Sequence, residues 1–271
     1  MKNLVLFISA FAFIISGCKN DEPVRTTALY EFTLFRNYPE FLNGQIKSVN
    51  EQCFWAVERD SDFVKGEPLS RSDRDSLKWS SDFTVYFNEE GKLTRNDDYY
   101  TPDETRSWVT EIENGLIVKV TNIRGNAEYT YAIATFDTDN HWESVKQYRA
   151  GVDTLMSSYT FATNPDGYIR ESKTFNSLGE NTRTWYYDID ENNRTTALKI
   201  YFSPDSLLST TKYSYNEKGF NTSVEFENSK GVTNNWKVEY SDYDDMDNWL
   251  TCTITLKDGQ KIILERKYVY Y

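Results

Sequence analysis

Three closely spaced residues with oxygen-bearing side chains are the first candidates for a metal-binding site. Asp188, Asp190 and Asn192 alternate as the first ligands of a calcium loop do. Such a loop also needs Gly at its sixth position and a bidentate Glu at its twelfth, but this chain has Asn193 and Lys199 there. Asp and Asn side chains also bond to their own backbone in turns, so the pattern favours a turn over a metal site.

The remaining reactive residue types do not form a catalytic pattern. His141 is the single histidine, stands beside Trp142, and is expected to be an exposed turn residue. Three cysteines are too few for a four-cysteine zinc site, and among 42 acidic residues a pair of carboxylates has no diagnostic value. We therefore expect no catalytic, metal-binding or cofactor-binding residues, and a protein that is not an enzyme. A second acidic run also lacks ordered calcium ligands and is expected to be a turn: Asp242, Asp244, Asp245 and Asp247.

The first segment has the features of a secretory signal. An apolar run from Leu4 to Ile15 follows Lys2 and is too short to cross a bilayer core of about 30 Å. It is followed by Ser16, Gly17 and Cys18, and this ending resembles the bacterial lipobox. The resemblance implies cleavage before Cys18 and lipidation of that cysteine. The alternative is an ordinary signal peptide followed by a chance cysteine.

These features predict the domain organisation. Residues 1–17 are the signal peptide, residues 18–28 a lipidated tether and residues 29–271 the body. Each buried CH₂ of an acyl chain contributes about 0.8 kcal/mol, so two or three chains would hold the body on a membrane. The charged run Lys19 to Glu22 resembles the surface-export signals of Bacteroidetes lipoproteins, and the alternative is a solvated tether without that role.

The two later cysteines and three hydroxyl residues are candidates for covalent modification. Cys53 and Cys252 lie in an extracytoplasmic compartment, where a disulfide would require the first and last hairpins to meet; two buried thiols are the alternative. Ser76, Thr154 and Ser206 each follow Asp and precede Leu, which matches the motif that Bacteroidetes glycosylate on oxygen. All three fall in or next to predicted turns, where Asp and Ser also collect without being modified.

Turn residues recur along the body in two interleaved series with a period of about 26 residues. Strands of six to ten residues fit between successive turns, whereas helical repeats do not. The first series is Gly115, Asn140, Gly167, Asn193, Gly219 and Asn248. The second series is Gly125, Gly151, Gly179, Asp205, Gly231 and Gly259.

The segments between turns alternate between apolar and polar residues. In the last segment, Ile262, Leu264, Tyr268 and Tyr270 alternate with charged residues such as Lys261, Glu265 and Lys267. A period of two with one apolar face indicates half-buried antiparallel strands. About sixteen strands are expected, and an open sheet of more than roughly ten strands curls, splits or closes. The sequence therefore predicts an all-β meander of tandem hairpins, barrel-like or two-layered, with an excursion and a short helix within residues 58–82.

The turns that run from an aromatic residue through Asx to Gly, such as Tyr215 to Gly219, resemble those of YD-repeat (RHS-like) proteins. The ending from Glu265 to Tyr271 adds to this likeness, which is closest to small repeat lipoproteins of Bacteroidetes. It covers residues 84–271 and, more weakly, Asn43 to Val57, and it departs from the pattern where Asn replaces Gly at 140, 193 and 248. The resemblance implies the repeat and says little about role.

Composition narrows the choice of partners. With a net charge of -12, the chain disfavours nucleic acid and anionic bilayers as partners. Aromatic residues make up 16% of the chain and either form the core of a thin sheet or line a concave face that stacks sugar rings or grips a peptide. We expect an outer-membrane lipoprotein, facing the periplasm or the cell surface, whose β-repeat body is a binding or structural module with an unknown protein or glycan ligand. The alternatives are a glycan-active enzyme and an RHS-like toxin delivery or immunity component.

Overall fold

A computed structural model describes residues 24–25, 41–60, 62–77, 82–101, 104–202 and 206–271, and within them the chain is almost entirely β-strand. The described strands, in chain order, are β1 Val24–Arg25, β2 Phe41–Leu42, β3 Ile46–Arg59, β4 Asp62–Pro68, β5 Asp82–Phe87, β6 Leu93–Thr101, β7 Glu104–Glu113, β8 Leu116–Arg124, β9 Ala127–Phe136, β10 Trp142–Arg149, β11 Thr154–Thr163, β12 Ile169–Asn176, β13 Asn181–Ile189, β14 Thr195–Tyr201, β15 Leu207–Tyr215, β16 Asn221–Asn228, β17 Thr233–Tyr243, β18 Trp249–Thr255 and β19 Lys261–Tyr270. A helix, α1, spans Arg71–Leu77.

The hairpins form a closed antiparallel barrel of 16 strands. Each strand from β5 to β19 pairs with the next one along the chain, and β19 pairs with β3 in a register that runs from Ile46 opposite Tyr270 to Trp55 opposite Ile262. Closure removes the sheet edges that a long meander would otherwise expose. The expected all-β hairpin meander is confirmed. Of the barrel-like and two-layered shapes considered, the structure adopts the barrel.

The strand β3 has two partners along its length. Its first part, Ser48–Glu51, pairs with β5, whereas its second part, from Phe54 to Arg59, pairs with β4. The segment β4–α1 is therefore an excursion from the barrel wall, at the position that the sequence predicts. Among the described residues, no helix has the length and hydrophobicity to cross a bilayer.

The short helix α1 begins with a reciprocal cap. The Ser70 N–H donates to Asp73 Oδ2 at 2.9 Å, while the Asp73 N–H donates to Ser70 Oγ at 3.2 Å. The Ser70 hydroxyl also donates to Asp73 Oδ2 at 2.6 Å, and this bond together with the one from the Ser70 N–H lowers the pKa of Asp73. Behind the cap, the buried Arg74 donates to Asp82 Oδ1 at 2.9 Å, and the same oxygen accepts the Cys53 N–H at 2.8 Å. The helix is thereby fixed to both β3 and β5.

One turn type connects many of the strands. In the β11–β12 turn, Asn164 Oδ1 accepts the backbone N–H groups of Asp166 and Tyr168, at 3.1 and 2.9 Å. Gly167 closes the turn with a positive φ of 83°, and its N–H donates to the Asn164 carbonyl. This arrangement needs Asx at its first position and a residue that tolerates positive φ at its fourth. The same side-chain acceptor is provided in other turns by Asn88, Asp137, Asn176, Asp190, Asn216, Asn228 and Asp244.

The two turn series lie at opposite ends of the barrel. We call the end with the first series, where β3 begins and β19 ends, the proximal rim, and the end with the second series the distal rim. One turn position differs from the prediction: the positive φ in the β17–β18 turn belongs to Asp247, at 63°, rather than to Asn248. Asn248 is instead fully buried and bonds to the backbone of Asn43 through both its amide oxygen and its amide nitrogen.

The two faces of the barrel wall differ in chemistry. The inner face contains the apolar residues, and they form three clusters around Val49, Cys252 and Leu198. The outer face contains ion pairs such as Lys119 with Glu111 at 2.6 Å. The barrel is thus densely filled near the β3–β19 closure, and the core clusters leave the β7–β13 side less filled.

Candidate functional site

A cavity lies inside the barrel between β7 and β13. Its empty volume is about 880 Å³, including its opening to solvent. Its aromatic side chains are those of Trp108, Tyr159, Phe161, Trp185 and Tyr187, whereas the ring of Tyr131 packs against Tyr148 and Lys119 on the outer face. Its polar lining consists of Asn122, Thr130, Gln147, Ser172 and Thr174.

Strand register explains why these side chains meet. Directly opposite residues on paired strands share a face of the sheet. Trp108 is opposite Asn122, Asn122 is opposite Thr130, and the sequence of opposite pairs continues from strand to strand to Ser172 opposite Trp185. The lining is therefore a belt of cross-strand neighbours around one side of the lumen.

Asn122 is a polar residue of this belt whose side-chain oxygen accepts no hydrogen bond within the described residues. The residue is 8% exposed. A buried carbonyl oxygen without a donor costs about 1–3 kcal/mol, which a donor on a bound molecule would recover. Across the cavity, the Ser172 hydroxyl is 3.4 Å from the Tyr187 hydroxyl, and Gln147 Oε1 accepts from Ser157.

The lining permits stacking and hydrogen bonding. Flat aromatic surfaces such as Trp185 bind rings and alkyl groups, while the amides and hydroxyls fix orientation. The residues that line the cavity include no carboxylate, imidazole or thiol. The sequence signals the aromatic content of this belt, but the residues of the cavity are distributed over seven strands and no local motif unites them.

The single histidine lies at the proximal rim, away from that belt. Possible ligand atoms of Asp137, Asp139 and His141 lie within 4.8 Å of one another. However, Asp137 Oδ1 already accepts the backbone N–H groups of Asp139 and His141, both at 2.9 Å, which is the turn geometry used elsewhere in the barrel. His141 is half-buried rather than exposed as the sequence predicts, because its ring lies against Gly167 of the adjacent turn.

The residues that resemble a calcium loop form a turn. Asp190 Oδ1 accepts the N–H groups of Asn192 and Arg194, both at 2.9 Å, and Asp190 Oδ2 pairs with the Arg194 side chain at 2.7 Å. Burial favours a higher pKa for Asp190, but the hydrogen bonds and charge of Arg194 outweigh it and lower the pKa. Asp188 lies on the outer face and pairs with Lys199 at 3.0 Å.

The second acidic run also belongs to a turn, and one of its members bonds to the last strand of the barrel. Asp244 Oδ1 accepts the N–H groups of Met246 and Asn248, while Asp244 Oδ2 accepts the hydroxyl of Tyr270. Burial and the hydrogen bond to Asp244 raise the pKa of Tyr270 to about 12. Asn248 donates to the same hydroxyl at 2.9 Å, so the start of β3 and the end of β19 are held by one network.

Cys53 and Cys252 are both buried thiols in the structure. Both are directly opposite Leu264, one on each side of β19. Two strand spacings of about 4.8 Å separate their backbones by roughly 10 Å, beyond the reach of a disulfide. The barrel does bring the first and last strands together, but it inserts β19 between the two cysteines.

The candidate modification sites have different surroundings. Ser76 is exposed in α1 rather than in a turn, and its hydroxyl donates to the Asp73 carbonyl at 2.8 Å. Thr154 is exposed at the start of β11, and Ser206 is exposed before β15. Glycosylation of these residues stays a prediction. Cys18, the predicted lipidation site, lies outside the described residues.

Comparison with known proteins shows similarity in fold only. No family model and no curated protein matches the sequence. The barrel is similar to the crystal structure of a porin-like protein from Bacteroides uniformis ATCC 8492, with 12% identity and a TM-score of 0.52 over 84% of this chain and 98% of that one. At this identity the likeness supports the shared barrel architecture alone.

Two further structures are less similar. A porin-like protein from Bacteroides vulgatus ATCC 8482 has 10% identity and a TM-score of 0.34 over 83% of this chain and 99% of that one. A chain of the TcdB2-TccC3-Cdc42 complex has 8% identity and a TM-score of 0.26 over 77% of this chain and 14% of that one. Scores this low carry no argument about function.

Proposed function

We propose that this protein is an envelope lipoprotein whose barrel binds a small amphipathic molecule in its lumen. The observation that carries the proposal is the aromatic cavity, whose lining includes the buried Asn122 with a side-chain oxygen that has no donor among the described residues. A ligand with a ring or alkyl body and at least one hydrogen-bond donor would satisfy both features. The absence of carboxylates from the cavity lining favours binding over glycoside hydrolysis at this site.

Attachment through Cys18 would orient the barrel on its membrane. The chain enters the barrel at the proximal rim, where Asn43 bonds to Asn248 and where β1 pairs with β2. A lipid on Cys18 would therefore tether the proximal rim, and the distal rim would face away from that membrane. Protease shaving of intact cells separates the two orientations, because it removes a barrel on the cell surface and leaves a barrel in the periplasm intact.

The charges on the wall support an outer face in water. Lys173 pairs with Glu171 at 2.7 Å and Lys199 pairs with Asp188 at 3.0 Å, all on outward-facing positions. A barrel that spans an outer membrane has the reverse pattern, with apolar residues outward and polar residues inward. We therefore attribute membrane association to the acyl chains, although the fold resembles a porin-like protein.

The binding proposal can be tested with N-phenyl-1-naphthylamine, a neutral amphipathic dye that fluoresces in apolar surroundings. Residues 19–271 are suitable for this test because they contain the whole barrel, including the closure of β19 on β3. We expect saturable binding with one dye per chain. The variant Trp185→Ala removes one wall of the cavity and should weaken binding by about tenfold, while Tyr186→Ala, one residue away on the outer face, should not.

A lack of saturable binding, or equal weakening by Trp185→Ala and Tyr186→Ala, would overturn the luminal site. The circular dichroism of each variant should match that of the parent, so that loss of fold is separated from loss of the cavity wall.

A further inference from the structure

We infer that the luminal site selects anionic amphiphiles, because arginines surround its distal side; this inference rests on the proposed function. Four arginines occupy inward-facing register positions between the cavity and the distal rim: Arg106, Arg124, Arg149 and Arg183. Inward-facing basic residues contrast with the rest of a chain whose net charge is -12.

Two of these arginines adjoin the cavity directly. Arg149 is opposite Thr130, and Arg183 is opposite Thr174; both threonines line the cavity. Residues opposite one another in an antiparallel sheet have Cβ atoms about 5 Å apart. Both arginines are exposed, so their guanidinium groups are open to water and to a ligand entering from the distal rim.

The other two arginines extend the basic surface onto β7 and β8. Arg106 is opposite both Asp98 and Arg124, two residues beyond the lining residue Trp108. The Arg124 guanidinium lies 3.8 Å from the ring centre of Tyr129. Because Arg106 lies opposite the acidic Asp98, the positive charge at these register positions comes from Arg124, Arg149 and Arg183.

The combination of features defines the class of ligand. An apolar body would lie against the aromatic belt, and an acidic group such as a carboxylate or sulfonate would lie at the level of Arg149 and Arg183. Guanidinium groups bind such planar or tetrahedral anions through paired N–H donors. The ordering of these two parts predicts that the apolar end enters first and that the charged end stays near the distal rim.

The test compares two dyes that differ by one charged group. 8-Anilinonaphthalene-1-sulfonate carries a sulfonate that N-phenyl-1-naphthylamine lacks, and both are titrated into residues 19–271. We expect the sulfonate dye to bind at least about tenfold more tightly, to compete with the neutral dye, and to weaken as salt is raised. The double variant Arg149→Gln with Arg183→Gln should remove most of this preference and leave the neutral dye within about twofold.

A charge-matched control separates local from global electrostatics. Lys146 on β10 and Lys173 on β12 have outward side chains, so the double variant Lys146→Gln with Lys173→Gln removes two positive charges without altering the lumen. It should leave the dye preference unchanged. Equal affinity of the two dyes, or a preference that is insensitive to both salt and the arginine double variant, would overturn the anion inference. Binding of the neutral dye alone would still support the proposed function, whereas binding of neither dye would refute both.

Discussion

Arg266 and Glu51 form a buried ion pair across the strands that close the barrel. Arg266 Nε donates to Glu51 Oε2 at 2.8 Å, Glu51 is fully buried, and the Arg266 guanidinium lies 3.9 Å from the ring centre of Trp249. The two residues are 215 positions apart in the chain and directly opposite in the register of β3 and β19. The pair therefore links the first and last strands of the barrel wall.

Removing one partner of this pair should destabilise the barrel strongly. Glu51→Gln leaves the buried Arg266 without its opposing charge, and we expect the free energy of unfolding to fall by about 3–5 kcal/mol. Glu265→Gln on the same strand pair breaks only the exposed ion pair with Lys65 and should cost about 0–1 kcal/mol. Urea unfolding of the two variants measures this difference. Equal losses in the free energy of unfolding would show that the buried pair stabilises the barrel no more than the exposed pair does.

Two glycines with similar backbone angles should respond differently to alanine. Gly167 and Gly179 have φ values of 83° and 80°, so Ala at either position costs about 1–2 kcal/mol in backbone strain. A Cβ on Gly167 would also lie 2.7 Å from His141 Cδ2, whereas one on Gly179 meets no atom within 4 Å. We expect Gly167→Ala to lose about 1–3 kcal/mol more than Gly179→Ala in thermal unfolding. Adding His141→Ala should recover most of that excess, and no recovery would argue against the contact.

The Tyr270 network predicts a loss of stability in alkali. Its folded pKa of about 12 lies above the value of about 10 in an unfolded chain, so the unfolded state loses this proton first. The stabilisation is complete below pH 10 and disappears as the pH rises through about 12. Tyr270→Phe should lower stability at neutral pH and flatten the decline between pH 10 and 12.

Denaturant unfolding at a series of pH values measures this effect. Tyr129→Phe, on an exposed residue of the distal rim, controls for the loss of a hydroxyl. A decline of the same steepness in Tyr270→Phe and the parent would assign the alkaline loss to other groups.

The predicted anchor can be separated from the barrel by removing the first 18 residues. The full-length chain should enter the detergent phase in a Triton X-114 partition, because its acyl chains are apolar. Residues 19–271 lack both Cys18 and the apolar run from Leu4 to Ile15, so they should move to the aqueous phase with the barrel folded. Retention of residues 19–271 in the detergent phase would contradict both the attribution of membrane association to the acyl chains and the water-facing outer wall.

Sequence periodicity was sufficient to predict the all-β hairpin meander, because strand positions and turns depend on local chemistry, but it left barrel-like and two-layered shapes open. Turn residues such as Gly115 and Gly167 specify where the backbone reverses, and alternation such as Ile262 with Leu264 specifies which face is apolar. The exception is the β17–β18 turn, where Asp247 rather than Asn248 takes the positive φ. Both residues tolerate that conformation, so residue type alone does not distinguish them.

The closure and the cavity depend on relationships that no local pattern contains. Glu51 meets Arg266, and Leu264 separates Cys53 from Cys252, only because β19 takes one particular register against β3. Similarly, Asn122 and Trp185 belong to one site because the pairing of the strands between them places both side chains on the inner face. Alternation predicts that such residues face inward, but it does not predict which inward-facing residues fill the lumen and which line a cavity.

The most direct test of a luminal binding site is to fill the lumen. Ala132 lines the cavity, so Ala132→Phe places a ring in the space that a ligand would occupy, while Ala162→Phe places the same ring on the exposed outer face. Titration with N-phenyl-1-naphthylamine should show parent-like binding by Ala162→Phe and at least about a tenfold loss in Ala132→Phe, with unchanged circular dichroism. Parent-like binding by a folded Ala132→Phe would show that the dye binds elsewhere and that the lumen is not the site.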